Sequence, residues 1–436
     1  MSAEVKIGNG SEGRLAPHPL RAAVLGEVHA RPFTAMETPR RIVHFAFATP
    51  GEAGKNDRAA LAALCLREKR EPLGATANHH RVAFDGATLR WEQHTEFTTY
   101  TWELPSSSQQ PFYPDARSLS ARMASVPQPG PLLVALDLHL IADDPERKVA
   151  VDYLFDHASL AVAENSDGTA LFATDFQLDA AGFIRIVVLD RGLGAERAGA
   201  LVQRIIETET YRTLALLGLP EAHRIQASIG RIETRLAELT QEICTAHQLP
   251  DNQRLLNELT ALAAELEAGA GASHYRFGAS RAYNEIVRLR LETIGERKAG
   301  IYPTWSSFLA RRLAPAMRTC VATEDRQATL SQRLARAANL LRTRVDVELE
   351  RQNRDLLKSM NERTRLQLRL QTTVEGLSVA AVSYYVVGLF HYVVEGAHAK
   401  GLHIDTTFAT ALFVPVAMVM IWLLVRGIRK RHVGKE

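Results

Sequence analysis

Cysteine is scarce in this chain of 436 residues: Cys65, Cys244 and Cys320 are odd in number and far apart, with no CxxC pair or other ligand spacing. That argues against a disulfide framework and suits a reducing compartment. An excess of charge of one sign is lacking too. Lys and Arg number 52 against 49 Asp and Glu, a formal net charge of +3, without the basic excess that points to nucleic acid, and no nucleic-acid partner is expected. The first twenty residues have no apolar core behind a positive start, so no signal peptide is expected and the body should stay where it is made. P-loop, nucleophile-elbow and kinase signatures are all missing. No catalytic or cofactor-binding residue can therefore be named from the sequence, and the cofactor stays unknown.

What is present is length and a strongly apolar C-terminus. A chain of 436 residues exceeds what one hydrophobic core usually holds, which implies at least two domains. Gly376 to Val394 runs without a formal charge, as does Phe408 to Val425. At about 1.5 Å rise per residue, roughly 20 apolar residues cross a hydrocarbon core about 30 Å thick, so both runs read as membrane spans. Lys358, Arg363, Arg365 and Arg369 precede the first span, and Arg426, Arg429, Lys430, Arg431 and Lys435 follow the second. The connecting loop has only Lys400. The positive-inside bias then places both termini in the cytoplasm, with the lipid bilayer as partner and the bacterial inner membrane as the location.

Upstream of the spans, residues 196 to 372 read as helix almost throughout, with breaks expected near Pro220, Pro250, Gly269 to Gly271, Gly300 to Pro303 and Pro315. From Leu330, the apolar positions Leu334, Ala338, Leu341, Val345, Leu349, Leu356 and Met360 keep mostly three- and four-residue steps, a single seam along one helix. A stalk helix over 325–372 running into the first span would be about 70 Å long. Its seam needs cover from the preceding helices or from identical stalks in a coiled coil, which makes a homo-oligomer the expectation.

The N-terminal part alternates strands with turns: Ile42 to Ala48, Val82 to Phe84, Thr88 to Glu103, Leu132 to Ile141 and Phe183 to Leu189. Asp85 to Glu103 joins a D-G turn signal to β-branched and aromatic residues and marks a hairpin. The chain therefore divides into a mixed α/β domain (1–195), a helical domain (196–324), the stalk (325–372), a two-helix membrane hairpin (373–428) and a basic tail (429–436). The fold class is α+β, followed by a stalk and two C-terminal transmembrane helices.

Several constellations invite a chemical reading. His29, His44, His79, His80 and His94 could supply metal ligands, and Glu27 with His29 would share one face of a strand, but their spacing matches no known site. Gly192 and Gly194 lie between a strand and a helix, where backbone amides can cradle a phosphate. Arg197 occupies the position of the third glycine, which favours a simple turn. In the first span Ser378 and Tyr385 are seven residues apart and share a helix face, with His391 nearer the outer end. Polar groups at membrane depth face protein or water, so these three are candidate pore-lining residues, against a plainer role in helix packing.

The segments E-V-H-A-R-P (Glu27, His29, Arg31 and Pro32 among them), R-W-E-Q-H-T-E-F-T-T-Y (Arg90 to Tyr100), E-T-Y-R-T-L-A-L-L-G-L-P (Glu209 to Pro220) and T-V-E-G-L-S-V-A-A-V-S-Y-Y (with Glu375 and Gly376) resemble a bacterial family of uncharacterised membrane-anchored proteins carrying a domain of unknown function. The resemblance covers nearly the whole chain and implies no reaction. More loosely, the order of parts resembles that of CorA-type magnesium channels, which implies an oligomer and divalent cations as a partner. The Gly-Met-Asn motif of those channels is missing: the corresponding region reads Gly388, Leu389, Phe390. Three functions stay open: an oligomeric CorA-like channel, transporter or ion sensor; a membrane-anchored scaffold without transport; and a tethered enzyme.

Overall fold

The computed structural model describes residues 18–21, 24–25, 33–74, 77–84, 86–106, 110–113, 127–147, 149–399 and 405–433. Contacts divide the chain into two units, 1–241 with 259–336, and 242–258 with 337–436.

The first unit is built on a nine-stranded mixed sheet in the order β2-β3-β4-β1-β5-β8-β7-β6-β9. Its strands are β1 (Arg40–Ala48), β2 (His79–Phe84), β3 (Ala87–Gln93), β4 (Phe97–Pro105), β5 (Leu132–Ala142), β6 (Ala161–Glu164), β7 (Ala170–Thr174), β8 (Ile184–Asp190) and β9 (Arg297–Lys298). All ladders are antiparallel except β5 with β8. Two hairpins stand where one was expected: β2 turns into β3 at Gly86, whose φ of 81° is free of strain only without a side chain, and β3 turns into β4 at residues 94–96.

Alternation gives the sheet two different faces. On one, Val43, Phe47, Leu89, Trp91, Tyr100 and Trp102 meet Leu61, Leu64 and Cys65 of helix α1 (Glu52–Arg67), which the sequence reading missed. Asp57 of α1 is buried in this layer and accepts from Trp91 Nε1 (2.8 Å) and Tyr100 Oη (2.5 Å). On the other face β1 turns His44, β3 turns Arg90 and Glu92, and β4 turns Thr99 and Thr101; the register sets His44 and Arg90 beside Thr101, and Glu92 beside Thr99. Helix α2 (Ala195–Leu216) packs against β5 and buries Leu201, Val202, Ile205 and Ile206.

Helices α3 (Gly218–Thr245), α4 (Leu249–Ile294), α5 (Trp305–Ala399) and α6 (Thr406–Val433) complete the chain. Pro220 and Pro250 fall in first turns, where a missing N–H costs nothing. Two expected breaks do not occur. α4 runs through Gly269 and Gly271, and α5 runs through Pro315, whose carbonyl accepts from Thr319 Oγ1 (3.1 Å). The helix therefore begins at Trp305, ten residues before Pro315 and well before the expected start at 325, and it continues unbroken into the first apolar run.

In the second unit α5 contains, and α6 begins with, a stretch long and apolar enough to cross a membrane. Phe390 stacks on Phe413 with centroids 3.9 Å apart, and His391 Nδ1 lies 3.1 Å from Thr410 Oγ1. Ser383, Val394, Ala417 and Ile421 are buried in this hairpin. The apolar seam splits in two: Leu341 and Val345 are buried within the single chain, where Arg344 Nη1 donates to Ile243 O (2.9 Å), whereas Leu349, Leu356 and Met360 are exposed.

Candidate functional site

A cavity of about 260 Å³ opens in the first unit between the polar sheet face and α2, with Phe33 and Arg290 of α4 also among its lining residues. Its floor is His44. Thr210 Oγ1 donates to Ile206 O (2.8 Å), so it accepts from His44 Nε2–H (3.1 Å), and Nδ1 then accepts from Thr101 Oγ1 (2.8 Å). Both ring nitrogens are thus occupied. Burial lowers the His44 pKa to about 3, helped by the Arg90 and His94 charges, so the imidazole stays neutral at physiological pH.

The walls carry charge in a relay. Arg90 Nη1 donates to Gln203 Oε1 (3.0 Å), Gln203 Nε2 to Glu207 Oε1 (3.0 Å), and Arg290 Nε to Glu207 Oε2 (2.5 Å). Arg90 Nε and Thr99 Oγ1 are buried without a hydrogen-bond partner among the described residues. Glu92, also nearly buried, touches Arg90 Nε only at 3.9 Å. An aromatic wall completes the space: His94 stacks on Phe97 at 4.1 Å, and Tyr211 meets both rings edge-on. Behind it Glu96 accepts from Arg276 Nη2 (2.6 and 2.7 Å) and Tyr283 Oη (2.5 Å), which fixes the turn that carries His94. Burial and that carboxylate push the Tyr283 phenol up, so it remains a donor.

Phe33 owes its place to a glycine. A Cβ on Gly199 would stand 1.7 Å from Thr34 O, so only glycine lets the 34–36 segment cross α2, where Met36 N donates to Ala195 O (2.8 Å). Arg204 lies over the Phe33 ring at 5.1 Å.

Among the described residues, His44 and His94 are the histidines that line this cavity; His79 and His80 stand on the outer strand β2, and His29 lies outside the described residues. Among the described residues no group of three or more His, Cys, Asp or Glu could hold a metal ion. The motif residues Glu27, His29, Arg31 and Pro32 lie outside the described residues. Glu375 and Gly376 lie within α5, in the second unit, and are not among the lining residues. At Gly192 and Gly194 the turn amides are taken: Asp190 Oδ1 accepts from Gly192 N (2.8 Å) and Leu193 N (2.7 Å), putting a carboxylate where a phosphate would sit. Ser378 and Tyr385 are exposed on α5, whereas His391 is tied to Thr410 of the second apolar helix. Sequence reasoning missed Arg90, Glu92, Thr99, Gln203, Glu207 and Arg290 as a group.

The model of a family described as protein of unknown function (DUF3422) matches residues 16–432. The chain belongs to the DUF3422 family. Its match spans both units, so the cavity and the apolar hairpin are parts of one DUF3422 chain. No curated protein and no solved structure matches it. The CorA-type order of parts finds no support in these comparisons.

Proposed function

We propose that this DUF3422 protein is a bacterial inner-membrane protein with both termini in the cytoplasm, whose body captures a small polar solute in the His44–Arg90 cavity. One observation carries the reading: the cavity is lined by the charged side chains of Arg90, Glu92, Glu207 and Arg290 beside the aromatic rings of Phe97 and Tyr211. Such a concave space with a few convergent polar groups is the usual form of a small-molecule site. Membrane attachment is supported by the two apolar helices, and the cytoplasmic termini by the Lys and Arg residues flanking them.

Native mass spectrometry of the full-length protein, released gently from detergent, is expected to show a small-molecule adduct. Arg90→Lys keeps the charge but replaces the planar guanidinium by a single ammonium, and should lower adduct occupancy. A bare protein in both cases would refute the cavity as a binding site.

A second reading follows from Ser378 and Tyr385, which are exposed on α5 rather than buried in the hairpin. In a homo-oligomer packed around its first spans, these two would face the axis, as a CorA-like ion channel, transporter or ion sensor for divalent cations requires. Ion flux in proteoliposomes, compared with Ser378→Ala and Tyr385→Phe, tests it; flux unchanged by both substitutions removes them from any pathway.

A further inference from the structure

Every residue of α5 from Leu349 to Val374 is exposed, a run of about 40 Å at about 1.5 Å per residue. Its charges are not spread evenly. Between Leu349 and Gly376 ten side chains are charged, and in a heptad with Asn353 at a and Leu356 at d all but Glu350 and Arg363 fall at b, c or f. The d positions are Leu349, Leu356, Arg363, Leu370 and Leu377, and the a positions are Asn353, Met360, Gln367 and Val374. The same frame continues into the apolar run, with Ala381 and Gly388 at a and Tyr384 at d, and α5 has no break there. Ser378 and Tyr385 fall at e, on the flank of this seam. Within the hairpin α6 covers another side of the helix, where Ser383 and Val394 are buried and Phe390 stacks on Phe413, and Leu377 and Tyr384 stay exposed.

We propose that this seam binds a second copy of the chain, parallel and in register, as a coiled coil that runs from the stalk into the first span. This rests on α5 crossing the membrane, and it assigns the contact surface of the homo-oligomer. A partner for the whole seam must pass from water into hydrocarbon at the height of Gly376, as α5 itself does. Copies of one chain insert in the same direction and to the same depth, so their seams stand parallel with equal residues opposite each other. The polar layers hold that register. Asn353 and Gln367 then lie opposite their own counterparts, and each amide finds a donor and an acceptor across the seam. A slip of one heptad sets Asn353 against Met360 and Gln367 against Val374, which leaves amides buried without partners. In the span, Tyr384 stands eight residues after Gly376, where its hydroxyl finds no water, and a facing Tyr384 supplies a partner. Ala381 and Gly388, on either side of it along the seam, are small enough to let the helices approach. Among the a and d positions Arg363 alone opposes the pairing, since it sets like charges face to face.

Disulfide cross-linking in membranes from cells that make the full-length chain tests the seam. Cys244→Ser removes the exposed native thiol, and Cys65 and Cys320 stay buried. On that background Leu356→Cys, Leu370→Cys and Tyr384→Cys place single thiols at d, and Lys358→Cys and Thr372→Cys place them at f. Facing d residues of a parallel coil come near the Cα separation of about 4.4–6.8 Å that a disulfide needs, whereas f residues point away from each other. All three d variants should form cross-linked dimers about tenfold faster or more than either f variant. An antiparallel pair brings together at most one of the three, which lie 14 residues apart. Arg363→Leu should lower the concentration at which the detergent-purified oligomer dissociates by about tenfold or more, because it replaces facing like charges by apolar side chains. Absence of cross-links at any of the three d positions, equal rates at d and f, or an Arg363→Leu protein no tighter than wild type overturns the seam. Carbonate extraction of the same membranes separates seam from span. A chain retained in the membrane without cross-links overturns the seam alone, and a chain extracted with its cross-links intact overturns the span and the seam's continuation into it.

Discussion

Burial holds the His44 imidazole neutral in the folded protein, with a pKa lowered to about 3, whereas in an unfolded chain it titrates near 6.5. Between those two values the unfolded state binds a proton that the native state refuses, so stability falls as pH drops through the window. The loss is about 1.4 kcal/mol per pH unit at most, or roughly 2 kcal/mol between pH 6.5 and 5. Urea unfolding of wild type and His44→Gln at pH 7 and pH 5 measures it. The wild type should lose the more stability of the two on acidification, even though the variant starts lower for want of the Thr101 and Thr210 bonds. Equal losses would show that His44 is not the titrating group. Above pH 6.5 the floor is uncharged in both states, which leaves Arg90, Glu92, Glu207 and Arg290 to set the field in the cavity. Little of this was legible in the sequence. His44 and His94 stood out as histidines, but the residues that surround them come from positions 33, 90–99, 203–211 and 290, and only the strand order brings them together.

Elements were more legible than residues, and for a physical reason. Strands such as β1, β5 and β8 advertise themselves through runs of β-branched and large apolar residues, and the sequence places them to within two residues. β6 and β7 are four and five residues long and alanine-containing, too short to show a period. α1 is rich in alanine and has no clear apolar stripe, so its burial is decided by the aromatic sheet face it covers. Gly269, Gly271 and Pro315 suggested breaks because they cost about 1 and about 3 kcal/mol in a helix. Packing outweighs that cost in α4 and α5. The stalk seam also divides unlike its sequence. Leu341 and Val345 looked like contacts between subunits, but they are buried inside one chain. Leu341→Asp should therefore put a charge into that packing, at a cost of several kcal/mol, and open the α3–α4 connection to protease. Leu356→Asp lies on the exposed continuation of the seam and should leave the digestion pattern unchanged while reducing self-association. Limited proteolysis and mass photometry distinguish the two, and a Leu356→Asp protein that assembles like wild type would remove the stalk from the oligomer contact.

At the scale of the whole molecule the topological expectation comes from the apolar helices and the charges around them. The first run is preceded by three arginines within 13 residues of Gly376, the second is followed by Arg426 and a basic tail, and the loop between them has Lys400 alone. Reporter fusions are expected to report cytoplasm after Glu436 and the opposite side near Lys400; an external C-terminus would overturn the topology. The cavity lies wholly in the first unit, so this arrangement would expose it to cytoplasmic solutes rather than to those outside.

A methyl group on Gly199 would meet the Thr34 carbonyl at 1.7 Å, so Gly199→Ala would push the crossing segment off α2 and carry Phe33, its neighbour in the chain, along with it. The lining of the cavity is thus tied to one absent methyl group on a wall helix, and an exchange there reshapes the space from a position that is not itself among the lining residues.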